Sequence, residues 1–350
     1  MLSSIPKPIV IAGLLTLIAA GVFALRPGGP GQTETDAAKA AVARRDFDGA
    51  VATLETLLAR HDTAEARLLA AQAARRGGRD DAAERHLAAY VQLGGDRDTA
   101  ELERAIRRSQ NGDLTGAGGV TKFAADNPAL PHATAMLEAL ARGFMAARRP
   151  REAVATLDAL LAREASPADR AEWLFWRGEM FMGMARGTEA AADLRAAIRL
   201  RDDHAGARLA LVKMLSRDEP LEALPHLEWL DAHGHRGPAV RLELARCHRH
   251  LGDTAAAAAV IADLVAARPA DPDVLTEAGA IELARGRPAA AEGHLTTALA
   301  AAPDRYETTA LMARCLQELG RGPEAKQMLD TLRKIEADMD RKTNAPKEKP

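Results

Sequence analysis

Gly252, Gly286 and Gly320 stand 34 residues apart, and the same step governs the positions around them. Ala257, Ala291 and Ala325 follow each glycine by five residues, and Ile261, Leu295 and Leu329 follow by nine. Pro269 and Pro303 keep the same interval. A register held at four separate positions means a structural unit of fixed length repeated in tandem. Such an array buries apolar surface between neighbouring units rather than in one central core. The usual step from length to domain count, which would assign two or three domains to 350 residues, therefore does not apply.

One unit can be read physically. The stretch PDVLTEAGAIELARG places Leu275, Ala278, Gly279 and Leu283 at helical spacing, which makes one apolar face. Gly286 ends that helix, because the residue past a helix terminus often takes a positive φ. Pro288 sits in the first turn of the next helix, which runs to Pro303. Ala291 is small where the two helices cross, so their axes can approach to about 8 Å. Leu295 and Ala298 complete the second face. A pair this short cannot cover its own apolar face and requires stacked neighbours.

With these residues the unit resembles the tetratricopeptide repeat family. That pattern has a large residue at position 4, small residues near 8, 20 and 27, a large one at 24 and proline at 32. Leu275, Gly279, Ala291, Leu295, Ala298 and Pro303 stand at those positions. The same register recovers 306–339 and 238–271, then upstream 204–237, 171–203, 134–167, 64–97 and 31–63. The stretch 98–133 fits least. Thr121 stands where a large apolar residue belongs, and Gly116, Gly118 and Gly119 each cost about 1 kcal/mol within a helix, so this unit is expected to be the loosest. The resemblance implies an all-α fold: a right-handed superhelical solenoid of up to nine helix-turn-helix units over 34–339, with the first helices lining a concave groove. The tail 340–350 has no apolar periodicity and is expected to be disordered.

Ahead of the repeats, Ile9–Leu25 runs for 17 positions without a charge between Lys7 and Arg26. That length is at the lower limit for crossing a hydrocarbon core of about 30 Å. The run exceeds the usual core of a cleaved leader, so it is read as a single-pass transmembrane signal anchor, although Val22-Phe23-Ala24 leaves cleavage open. Residues 1–8 form a short tail before it, and 26–33 a Pro/Gly-rich linker after it. Long soluble domains translocate largely regardless of flanking charge, which places the repeats on the extracytoplasmic or periplasmic side.

The 47 basic and 49 acidic side chains nearly cancel, which argues against a nucleic-acid partner. The chain contains no H-E-x-x-H zinc helix, no G-x-S-x-G elbow, no phosphate loop and no C-x-x-C-H haem motif. No enzyme activity, cofactor or metal is therefore expected. His226, His233, His235, His248 and His250 cluster with Cys247, but no second pair at ligand spacing completes a site, so they read as solvated or packed side chains. Cys247 and Cys315 occupy the same position two units apart and read as buried small hydrophobes without a disulfide.

In the family, groove-lining side chains lie at positions 2, 5, 9, 12 and 13 of each first helix. Carried over, these give Arg142 and Met145, then Phe175, Glu179 and Met182. The later units give Arg208, then Leu242, Arg246 and Arg249, and finally Arg314. The subset of the family that clamps chaperone tails uses Lys and Asn; position 9 here carries no Asn, so that ligand is not expected. The arginines and the local concentration of aromatic and methionine side chains instead imply a protein or peptide ligand with an acidic or apolar segment. The resulting expectation is a non-catalytic, membrane-anchored scaffold that binds partner proteins through its concave groove. The alternative is an accessory subunit of an envelope assembly, secretion or polysaccharide-export complex. Leu316, Met328 and Leu332 of the last unit, with no further capping helix, add a route to self-association.

Overall fold

The computed structural model describes residues 31–344, apart from 116, 128–131 and 216–218. The apolar run Ile9–Leu25 lies outside the described residues, and among those described no helix is long and apolar enough to cross a membrane. The described residues form eighteen α-helices that pair in sequence into nine units. The first five pairs are α1 Gln32–Ala43 with α2 Phe47–Leu58, α3 Ala64–Arg76 with α4 Asp80–Gln92, α5 Arg97–Gln110 with α6 Ala117–Asp126, α7 Ala133–Ala146 with α8 Pro150–Leu161, and α9 Pro167–Gly183 with α10 Gly187–Leu200. The last four are α11 Ala205–Leu215 with α12 Pro220–Ala232, α13 Pro238–His250 with α14 Thr254–Ala267, α15 Pro272–Ala284 with α16 Pro288–Ala301, and α17 Tyr306–Glu318 with α18 Gly322–Asn344. By compactness the chain divides into two units, Met1–Ala207 and Arg208–Pro350. The last helix continues to Asn344, beyond the 339 at which the period ends; the rest of the 340–350 tail lies outside the described residues.

The following turns, each inside one pair, share one design. The second residue after the first helix has positive φ at Gly252, Gly286 and Gly320 (83°, 69° and 76°), and also at Arg45, Arg148 and Ala185 (62°, 55° and 58°). In every case the next amide donates back to a carbonyl five residues earlier: Asp46 to Ala41 at 2.9 Å, Arg149 to Phe144 at 2.9 Å, and Arg287 to Glu282 at 2.9 Å. This bond satisfies a carbonyl that the helix end would otherwise leave open. Helix starts are fixed by side chains that accept from the first-turn amides, including Thr63, Asp96, Ser166 and Asp271. Pro150, Pro167, Pro238, Pro272 and Pro288 sit in the first turn, where no amide hydrogen is required.

Packing follows the small-large pattern of the repeat. Ala291, Leu295 and Ala298 are fully buried, and a Cβ on Gly279 would come within 2.6 Å of the Leu295 side chain. The first compact unit carries a core around Leu137, Leu157, Leu160 and Trp173, all fully buried. The second carries Ala245, Ile261, Val274 and Ile281, continued by Leu283, Leu295 and Leu316. Burying one Leu or Ile side chain contributes about 1.5–3 kcal/mol, so each interface between stacked pairs is held mainly by a handful of aliphatic groups. Phe144 and Phe181 are likewise buried in this packing.

Candidate functional site

The first compact unit brings together side chains that are far apart in sequence. Arg45 follows α1 at the positive-φ turn position, yet its side chain is only 7% exposed. Its Nη1 donates to Glu138 Oε1 at 2.9 Å and Asp169 Oδ1 at 2.8 Å, and its Nε lies 3.7 Å from Glu172 Oε2. Arg76, the last residue of α3, sends Nη2 to the same two partners, at 2.6 Å from Asp169 Oδ1 and 3.0 Å from Glu138 Oε2. Two arginines from the first two repeats are thereby tied to three carboxylates on α7 and α9, in the fourth and fifth. Phe47 lies beneath both guanidinium groups, 5.2 Å from Arg45 and 4.8 Å from Arg76, and the Trp176 ring is 5.3 Å from Arg45. Burial alone would raise the Glu138 carboxyl, but the adjacent Arg45 and Arg76 overcome it and hold it below its ordinary value. Burial likewise opposes the charge on Arg45, and Glu138, Glu172 and Asp169 outweigh it, so its pKa is raised.

Beside this brace lies an open cleft of about 480 Å³ lined by Arg45, Phe47, Arg76, Arg142, Trp176 and Arg201, with Met145 and Glu172 at its edge. Arg142 and Met145, both assigned to the groove from sequence, therefore meet in one concavity. Arg142 donates Nη1 to the Arg76 carbonyl at 2.8 Å and lies 5.9 Å from the Trp176 ring, and among the described residues no carboxylate forms an ion pair with it. Burial pulls its pKa below the usual arginine value, with Glu138 opposing that fall. Phe175, on the same helix as Trp176, is half-buried and packs edge-on against His204, their ring centres 4.8 Å apart. Met182 is half-exposed and Glu179 exposed, both on α9. Trp173, on the same helix, is fully buried in the core.

His204 shows how local structure sets protonation. Its Nδ1 accepts from the Ala207 amide at 3.2 Å, capping α11, so the ring proton sits on Nε2, 3.6 Å from Glu172 Oε2. Burial, with Arg201 as a second cause, lowers its pKa to about 4.

In the second compact unit the sequence-assigned arginines are already engaged. Arg249 donates Nε to Glu277 Oε1 at 2.6 Å and Nη2 to Oε2 at 3.2 Å. Arg246 donates to Glu243 at 2.6 Å and lies 3.5 Å from Glu277, whose side chain is 2% exposed. Arg314 donates to Glu318 at 2.8 Å on the same helix. Arg208 is buried, with Nη1 2.9 Å from His226 Nδ1 and its guanidinium 4.5 Å from the Trp229 ring. Leu242 packs against the core around Ile261. Arg246 and Arg249 thereby tie their repeat to the next through Glu277, while Arg314 and Arg208 are engaged within their own repeats. Of the histidine cluster, His233 stacks on Trp229 at 4.0 Å with Nδ1 2.8 Å from the Trp229 carbonyl oxygen. Among the described residues no group of three His, Cys, Asp or Glu side chains could hold a metal ion. Cys247 and Cys315 are buried and are not joined in a disulfide, and Cys315 donates to the Pro288 carbonyl.

Profiles described as tetratricopeptide repeat match residues 35–98, 138–205 and 214–272, and a second one 282–341, so that the first alone spans more than half of the 350 residues. The chain belongs to the tetratricopeptide repeat family. None of the curated proteins compared with this tetratricopeptide chain matches it. Among solved structures it is similar to YrrB, described as a TPR protein with an unusual peptide-binding site, at 19% identity and TM-score 0.48 over 54% of this chain and 95% of that one. It is also similar to PilW, a type IV pilus biogenesis factor, at 17% identity and TM-score 0.44 over 63% and 96%. A tetratricopeptide repeat protein from Parabacteroides merdae gives 15% identity and TM-score 0.34 over 83% and 100%. Members of the family generally act as non-catalytic scaffolds for protein–protein interaction, using the extended concave surfaces that stacked repeats create.

Proposed function

We propose that this chain is a non-catalytic scaffold that holds a segment of a partner protein in the concave cleft of its first compact unit, while Ile9–Leu25 tethers it to a membrane with the repeats on the extracytoplasmic side. The observation that carries the reading is the cleft itself: residues from four repeats converge on one open, aromatic-floored concavity that the chain's own packing leaves unfilled. Met145 at its edge and Met182 on the same face of the family pattern supply the adaptable apolar contact that interfaces favour. The apolar run before the repeats, bounded by Lys7 and Arg26, supports the tether.

Cross-linking in intact membranes tests both parts. The full-length protein should recover one dominant partner, and a version lacking residues 1–30 should leave the membrane fraction. Met145→Ala together with Met182→Ala should cut partner recovery several-fold while helicity and thermal melting stay near wild type. Undiminished recovery by that double variant would remove the concave surface as the binding site.

A further inference from the structure

The first compact unit is closed across its concave side by guanidinium groups rather than by apolar packing. Every buried apolar side chain of its first two repeats belongs to one of three clusters, which reach no further than Ala100 in the third. Among the described residues, therefore, no cluster of buried apolar side chains joins the first two repeats to the fourth or fifth. Contact over that gap runs through the pairs of Arg45 and Arg76 with Glu138, Asp169 and Glu172. The Arg142 bond to the Arg76 carbonyl and the Arg45 guanidinium beside the Trp176 ring complete it.

That chemistry makes the closure reversible. An apolar interface gives up its whole driving force when water enters it. A buried ion network does not, because the hydration its charges regain on opening offsets much of the attraction they lose. Closed and open forms then lie close in free energy, and a ligand with better contacts in one draws the population toward it. The same network partitions the groove. Beyond the 480 Å³ cleft lies a second one of about 360 Å³, floored by Leu69, Ala73 and Ala135. Arg76 lines both clefts, Arg45 and Glu172 line the first, and Glu138 and Asp169 line the second. The wall between the two is the brace itself.

We propose that the Arg45–Arg76 brace is a latch on the concave groove of this unit. Closed, it splits the groove into two clefts; open, it joins them into one channel that admits an extended segment of a partner protein. The proposal rests on the scaffold reading above and adds its control. The closed form is the major one, so the apparent affinity for a segment that spans both clefts is reduced by the fraction of molecules that are open.

The test measures a distance across the unit in the full-length protein in detergent. Nitroxide labels are attached through Ala52→Cys on α2 and Ala192→Cys on α10, both exposed positions, in a Cys247→Ala, Cys315→Ala background. Pulsed electron paramagnetic resonance should give one narrow distance for this protein. Arg45→Ala with Arg76→Ala removes the cations, and Glu138→Gln with Asp169→Asn removes two of the anions at nearly constant size. Each pair should lengthen the mean distance by about 5 Å or more, the room an extended chain needs beside its neighbour, while circular dichroism shows unchanged helicity. An unchanged distance in either pair would overturn the latch. So would a loss of helicity in either, because the brace would then belong to the repeat frame, and so would a starting distance as long as that of the variants. None of these readings involves a partner, and partner recovery by cross-linking is measured independently, so the latch and the scaffold reading can fail separately.

Discussion

Replacing Arg45 by Ala removes the hub of the brace while leaving the repeat frame in place. The side chains of Arg45 and Glu138 are 7% and 5% exposed, so the substitution leaves a carboxylate buried with half its counter-charge. Breaking a buried pair by deleting one partner typically costs about 3–5 kcal/mol. Arg76 still contacts both Glu138 and Asp169, at 3.0 Å and 2.6 Å, which pulls the loss toward the low end. The contacts of Arg45 with the Phe47 and Trp176 rings are lost as well, about 0.5–1 kcal/mol each. Balancing these, the expected destabilisation is about 3 kcal/mol, or roughly 150-fold in an opening equilibrium. Amide hydrogen exchange reads it locally: protection of the Ala133–Ala146 helix should fall by about that factor, and protection of Pro272–Ala284 in the other compact unit should not change. Arg45→Gly separates side chain from backbone. At φ 62° an L-residue is strained by about 1–2 kcal/mol, so the glycine variant should lose about 1 kcal/mol less than the alanine variant. A change of less than about fivefold in the Ala133–Ala146 amides of Arg45→Ala, around 1 kcal/mol, would mean the brace contributes little and the reasoning fails.

Two further outcomes follow from the geometry. Gly279→Ala should destabilise by about 1–2 kcal/mol despite the better helix propensity of alanine, because its Cβ would meet Leu295 at 2.6 Å, whereas Gly293→Ala, with nothing within 4 Å, should stabilise by up to about 1 kcal/mol; urea midpoints decide both. His204 is neutral in the fold with its pKa lowered to about 4, so as pH falls below about 6.5 the unfolded chain takes up the proton first and stability declines until pH 4, by about 2–3 kcal/mol. His204→Asn keeps an acceptor for the Ala207 amide without titrating and should flatten that decline; an unchanged slope would show that another group carries it.

The repeat frame could be read from residues because its requirements are local. Gly279 and Leu295 are fixed by one helix crossing, and Gly252, Gly286 and Gly320 by one turn. The same turn is invisible at Arg45, Arg148 and Ala185, since the closing hydrogen bond is made by backbone and tolerates any side chain that bears the strain. Within the groove, position counting named Arg142 and Met145, which line one cleft, but it passed over Glu138 and Glu172, which stand at positions 5 and 2 of their own units. Their partner Arg45 lies 93 residues from Glu138 and 124 from Asp169, a separation that no periodicity encodes. Arg246 and Arg249 looked available for a ligand for a related reason: the carboxylate that engages both belongs to the next repeat.

Linear repeat arrays are held by contacts between adjacent repeats, so they peel from either end one repeat at a time. The Arg45 and Arg76 contacts break that rule, since they span the third repeat and tie the first two to the fourth and fifth. A pulling force on the N-terminal end of this unit meets a staple before it can strip the second repeat. Extension traces should accordingly show one high-force rupture releasing several repeats together, in place of an even staircase. A protein tethered at its N-terminal side would be loaded from that end, and the staple stands there between the load and the cleft.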